Sequence, residues 1–206
     1  MSKKGKTVYL LEKAFIELGN EIPLDRITVE MVCERVGVKR QTFYYHYKDL
    51  NDLLKGIMIG VSEEREDLDS TTIGDARFLA DTFSQNAPFF RNAVKTSYAV
   101  GLTSYIRNYI YTRSLTRLLN ITKYKKLPLE QIESISRIVS SIFVSELIYW
   151  ATENSQESKE DLLHRFSVIM FNVEKMMVEN ALKARMHKKS SDGLINDEAK
   201  KGDTDA

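Results

Sequence analysis

The sequence predicts an all-α protein: an N-terminal three-helix unit containing a helix-turn-helix, followed by a larger helical C-terminal part. Three observations carry this. Apolar residues recur at three- and four-residue steps almost throughout, and no segment shows the two-residue alternation of a half-buried strand. Only 3 prolines and 9 glycines punctuate 206 residues, too few for a fold built on many tight hairpins. Hydrophobic residues make up 43% of the chain and charged residues 29%, which suits a sizeable core inside a solvated surface.

The elements follow in order. Val8, Leu11, Phe15 and Leu18 form one stripe of a first helix, with Thr7 at the N-cap and Gly19-Asn20 as the stop. After Pro23, Thr28 caps a second helix carrying Met31, Val32 and Val36, with Glu30 in its first turn and Gly37 at its end. Arg40 to Tyr47 is a third, short helix. Asp49 caps a fourth, with Asp52 at the reciprocal capping position and Leu50, Leu53, Leu54 and Ile57 on its buried side. The acidic run from Glu63 to Asp69 reads as a solvated helix end; it lacks the ligand order and glycine of an EF-hand loop. Helices are expected at about 74–86, 89–97 and 99–123, then from Pro128 to Trp150, and after a polar break at 153–158 one last helix from Leu162 to Met177. The chain beyond Lys188 carries no recurring apolar residue and is expected to be disordered.

Several classes of function are excluded at this level. The single cysteine, Cys33, cannot form an intrachain disulfide and reads as a small core hydrophobe. No run approaches the roughly 18 apolar residues of a membrane helix, so a cytoplasmic protein is expected. Cys33, His46, His164 and His187 show no zinc-site spacing, so no metal is expected. There is no G-x-S-x-G, no Walker loop and no dinucleotide fingerprint, so neither an enzyme nor a cofactor is expected. Gly56 and Gly60 suit close helix contact instead. With 30 Lys+Arg against 29 Asp+Glu, the net charge of +1 excludes a protein that coats polyanions.

The charge is distributed more tellingly than its sum. Residues 39–48 hold Lys39, Arg40 and Lys48 and no acid. In this short helix Phe43 and Tyr47 share a face that can pack on Val32 and Val36. Gln41, Tyr44, Tyr45 and Lys48 take the opposite face, and Lys39, Arg40 and Thr42 crowd the N-terminal end. Arg can read guanine and Gln adenine through paired hydrogen bonds, while the Thr methyl can meet thymine. Lys and Tyr groups suit phosphates. Two short helices joined by a glycine turn make a helix-turn-helix whose second helix fits the DNA major groove.

Over about residues 6–57 the sequence resembles the TetR/AcrR family of bacterial transcriptional regulators. The likeness runs through Ile27-Thr28-Val29, the Gly37-Val38 turn, and Thr42-Phe43-Tyr44-Tyr45-His46-Tyr47-Lys48, followed by Asp49 and Leu53-Leu54. Position by position, it implies operator contact by Lys39, Arg40, Gln41, Thr42, Tyr44 and His46, and phosphate contact by Thr28, Tyr45 and Lys48. His46 could equally be a plain surface histidine. Lys3, Lys4 and Lys6 could form a DNA-binding arm or stay solvated, and Lys183, Arg185, Lys188 and Lys189 suit a helix C-terminus.

The resemblance also implies domains at 1–56 (DNA binding), 57–186 (regulation and dimerisation) and 187–206 (disordered tail). It implies a homodimer on a partly palindromic operator and repression relieved by a small-molecule inducer. Phe78, Phe83, Phe90, Arg91, Tyr105, Asn108 and Tyr109 are candidates for the inducer pocket, although the same residues could simply fill a core. Ile142, Phe143, Phe166, Met170 and Val173 are candidates for the dimer interface. Two rivals stand beside this reading. One is a DNA-binding regulator with a filled C-terminal domain, acting through a protein partner or as an activator. The other is a helical ligand-binding protein or enzyme without a DNA role.

Overall fold

The computed structural model describes residues 5–63, 71–120, 127–152, 157–170 and 172–185, all helical or connecting, with no strand among them. The expected arm lysines Lys3 and Lys4, the acidic run at 64–69, most of the polar break, His187 and the tail 187–206 lie outside the described residues.

Helix α1 spans Lys6–Glu21. It starts one residue before the expected cap: Gly5 is the N-cap, and Thr7 lies inside the helix. It also runs through Gly19 and Asn20, which do not stop it; the chain leaves the helix at Ile22, whose N–H bonds to Leu18 O. The reason lies 70 residues away, in a helix that packs on this turn. A Cβ at Gly19 would fall 2.5 Å from Phe89 Cδ2, so only glycine lets that ring approach. Asn20 Oδ1 accepts from the Phe89 N–H at 2.9 Å, and Asn92 Nδ2 donates to Gly19 O at 2.7 Å.

A 3-10 turn at Leu24–Arg26 leads to α2, Val29–Val36, where Thr28 Oγ1 accepts from Met31 N–H at 3.2 Å as the cap. Gly37 ends α2 at φ 76°, ψ 34°, the left-handed conformation that glycine adopts without penalty. Helix α3 covers Arg40–His46 and α4 covers Leu50–Glu63. Asp49 Oδ1 caps α4 through the Asp52 N–H at 2.8 Å, and Asp52 Oδ2 reaches back to the Lys48 N–H at 3.1 Å. Phe15, Leu24, Val32, Phe43 and Leu53 close the core of these helices, all fully buried.

Five helices in the C-terminal part follow the expected segments: α5 Thr72–Gln85, α6 Ala87–Val94, α7 Ala99–Asn120, α8 Leu129–Thr152 and α9 Lys159–Ile169. Helices α7 and α8 form the most extensive helix pair, and α6 docks on α1. Ser158 Oγ caps α9 by accepting from the Asp161 N–H at 3.1 Å. The single last helix expected through Met177 is divided in two. Helix α9 ends at Ile169, Asn172 takes φ 58°, and residues 173–185 form α10. Asparagine tolerates the left-handed region better than most residues, and the break turns Met170 and Val173 into the core from either side.

A charged cluster ties three of these helices. Asp75 of α5 is fully buried and pairs with Arg113 and Arg117 of α7, and Arg117 also meets Glu174 of α10 at 3.0 Å. Burying a carboxylate is costly unless it is paired and hydrogen-bonded, and here two guanidinium groups satisfy it. Among the described residues, no helix is long and apolar enough to cross a membrane.

Candidate nucleic-acid interface

Helix α3 is held from below and open above. Phe43 is fully buried, Tyr47 nearly so, and their ring centroids lie 5.9 Å apart. The Tyr47 hydroxyl donates to Glu12 Oε1 at 2.7 Å, in a site so tight that a Cβ at Gly56 would fall 2.7 Å from Tyr47 Cε1. Burial first, and then this bond to a carboxylate, push the Tyr47 phenol well above its ordinary pKa. Gly56 thus gives room to an aromatic ring from the neighbouring turn. Burial likewise raises the Cys33 thiol, which keeps it protonated and inert.

The outer side of α3 is presented to solvent. Tyr44 is 58% exposed and Tyr45 85%, far more than a core aromatic would be. Lys39, Arg40, Gln41 and Lys48 are exposed, whereas Thr42 and His46, four residues apart, share a half-buried flank. Tyr44 stands edge-on against Phe43 at 5.5 Å, and Tyr45 edge-on against His46 at 4.9 Å, so each exposed ring is braced at its base. Thr28 lies at the start of α2. Its oxygen already accepts the capping bond, which leaves the hydroxyl proton free to be donated.

One residue alters the electrostatics of this surface. Glu30, on the first turn of α2, forms an ion pair with Arg40 across the helix-turn-helix. The acid-free stretch 39–48 therefore has an acid beside it in space. Its sequence signal, an acid in the first turn of α2, also fits a favourable helix-dipole position and so concealed the pairing.

The seven residues expected around an inducer pocket are distributed over separate places. Phe83 and Phe90 are buried and stacked, with centroids 4.2 Å apart and planes 13° from parallel. Phe83 and Arg91 flank a cleft of only about 50 Å³. Phe78 and Tyr109 pair elsewhere, with centroids at 5.8 Å. Tyr105 and Asn108 line a different groove of about 520 Å³ between α4 and α7.

Of the five residues expected at a dimer interface, Phe143, Phe166, Met170 and Val173 are buried inside the subunit, and only Ile142 is half-exposed. The rings of Phe143 and Phe166 meet at 4.9 Å, because the broad apolar faces of α8 and α9 turn towards each other. The large apolar side chains left exposed on these helices are Leu129, Ile138, Tyr149, Val168 and Ile169, with Met176 on α10. Among the described residues no group of three or more His, Cys, Asp or Glu side chains could hold a metal ion.

Comparison with known proteins adds to this geometry. Residues 76–172 match the TetR_C_8 family, described as the transcriptional regulator C-terminal region. No curated protein matches the sequence. Among solved structures the fold is similar to the dihydroxyacetone kinase operon activator DhaS, with a TM-score of 0.53 at 15% identity, covering 85% of this chain and 96% of that one. Residues 76–172 thus match a transcriptional regulator C-terminal region, and they lie behind a braced, outward-facing helix-turn-helix.

Proposed function

We propose that the chain works as a homodimeric repressor that leaves its operator when a small molecule binds. In this reading residues 1–56 form the DNA-binding unit and 57–186 the regulatory and dimerisation unit, with α4 running unbroken from one to the other. Lys39, Arg40, Gln41, Thr42, Tyr44 and His46 meet base edges, and Thr28, Tyr45 and Lys48 meet phosphates. The observation that carries this is the exposure of Tyr44 and Tyr45 over a buried Phe43, which gives the most solvent-facing side of α3 no packing role.

The dimer face proposed here is the stripe of exposed Ile138 and Tyr149 and half-exposed Ile142 on α8, with exposed Val168 from α9. A two-fold axis through it would set two reading helices about 34–36 Å apart, or a multiple of that, and so call for a partly palindromic site. Ligand binding that favours another spacing by about 1–3 kcal/mol would weaken operator affinity roughly 5–150-fold.

A second reading is favoured by the stacked Phe83 and Phe90. If the C-terminal core admits no ligand, the regulator acts through a protein partner or as an activator. The similar fold of DhaS, an operon activator, is compatible with either sign of regulation.

Selection of bound fragments from the source genome tests the central claim. The expected result is a small set of sequences with two-fold symmetry. Arg40→Ala and Tyr44→Ala should then abolish specific binding, while Lys48→Ala weakens all binding and flattens its salt dependence. Fragments without a shared sequence, or binding indifferent to salt, would sink the reading.

A further inference from the structure

The groove of about 520 Å³ between α4 and the first half of α7 has the volume of a small-molecule site. Its floor is apolar, formed by the buried side chains of Leu54, Met58 and Leu102. Its charged groups differ in what already holds them. Asp49 and Asp52 each commit one carboxylate oxygen to a backbone N–H at the α4 N-terminus, where the helix dipole also offsets negative charge. Lys48 and Lys55 have no such compensation, for no described side chain pairs with either ammonium. On the α7 side, the Tyr105 hydroxyl is engaged with Ser62 Oγ at 2.8 Å, which holds its ring in place. Gly101 leaves the mouth open, since a Cβ there would lie 4.0 Å from Asn51 Oδ1.

We infer that this groove binds an anionic amphiphile of the medium-chain carboxylate type. The apolar chain lies along Leu54, Met58 and Leu102, and the head group meets the ammonium groups of Lys48 and Lys55. A cationic head would face two uncompensated like charges, and a neutral head would leave both unpaired. The inference deepens the ligand-responsive reading and rests on it for its consequence. Lys48 is also a proposed phosphate contact, so the head group and DNA compete for one ammonium. The occupied site adjoins the turn that joins α3 to α4, and release needs no signal carried through the C-terminal core.

The test uses decanoate below its micelle-forming concentration, with decyltrimethylammonium as the charge-reversed probe, each titrated calorimetrically into the full chain. Decanoate should bind at least tenfold more tightly than the cation. Lys55→Gln should weaken it at least fivefold. Gly101→Leu, which fills the mouth at a position with ordinary contact distances, should abolish it while keeping the wild-type melting temperature. Both variants should bind a genome-selected operator fragment as the wild type does, and saturating decanoate should lower wild-type operator affinity at least fivefold. Equal affinity for the two probes, no binding of decanoate, or binding that survives Gly101→Leu would overturn the site. Decanoate bound in the groove with operator affinity unchanged would overturn the competition. A chain that binds no operator fails the DNA reading instead, and the calorimetry still decides the groove.

Discussion

The hydroxyl of Tyr47 and the carboxylate of Glu12 meet at 2.7 Å in the interior, joining the turn after α3 to the middle of α1. Glu12 is only 8% exposed, so its buried polar atoms depend on hydrogen bonds within the protein. Tyr47→Phe keeps the ring and removes the donor. It should cost about 1–3 kcal/mol in urea unfolding, the range for leaving a buried polar group with one bond fewer. An unchanged midpoint would mean that water replaces the bond.

The same phenol makes stability depend on alkaline pH. Tyr47, Tyr98 and Tyr105 all have raised pKa values in the fold, each chiefly through burial. Their contribution is fully present below the unfolded phenol pKa of about 10. As pH rises past that point the unfolded chain sheds protons the folded chain keeps, so stability falls by up to about 1.4 kcal/mol per pH unit for each phenol. Unfolding followed between pH 9 and 11.5 should show this decline, with a shallower slope in Tyr47→Phe.

Gly19→Ala pits helix propensity against packing. Alanine favours a helix interior by about 1 kcal/mol, but its Cβ would sit 2.5 Å from Phe89 Cδ2 and 2.9 Å from Leu24 Cδ1. Overpacking of this kind costs about 1–3 kcal/mol, and both neighbours are fully buried and unable to swing into solvent. The net effect should be a lower melting temperature. A rise would show that α6 can shift away from α1.

Glu30→Gln should release Arg40. The pair is exposed on both sides, with side chains 56% and 59% accessible, so the fold should lose little. Binding to non-specific DNA should tighten a few-fold and its salt slope should steepen, because one cation is freed and one repelling anion removed. If the affinity for non-specific DNA stays the same in fluorescence anisotropy, Glu30 does not hold Arg40 in solution.

Ile138→Glu and Phe143→Ala should separate association from folding. Ile138 is 50% exposed on α8, so a charge there should give a folded monomer in sedimentation. Phe143 is 1% exposed, and its truncation should cost about 3–5 kcal/mol of stability whatever the oligomer. A dimer that survives Ile138→Glu would move the proposed interface elsewhere.

The sequence by itself determined the helices up to α8, the Thr28 and Asp49 caps, the glycine turn at Gly37, and the division of α3 into a buried and an exposed side. All of these are local: a cap lies within four residues of its partner, and a helical face repeats every three or four. Only the tertiary structure decided what was non-local. Gly19 reads as a helix stop until Phe89 arrives against it. Glu30 reads as a dipole acid until α3 brings Arg40 beside it, and Asp75 offers no sign that two arginines 38 and 42 residues later will bury it. The broad apolar faces of α8 and α9 were visible as stripes, but periodicity marks a face as apolar without naming what covers it. Here helix packing covers Phe143 and Phe166 with each other and leaves Ile138 and Tyr149 to solvent.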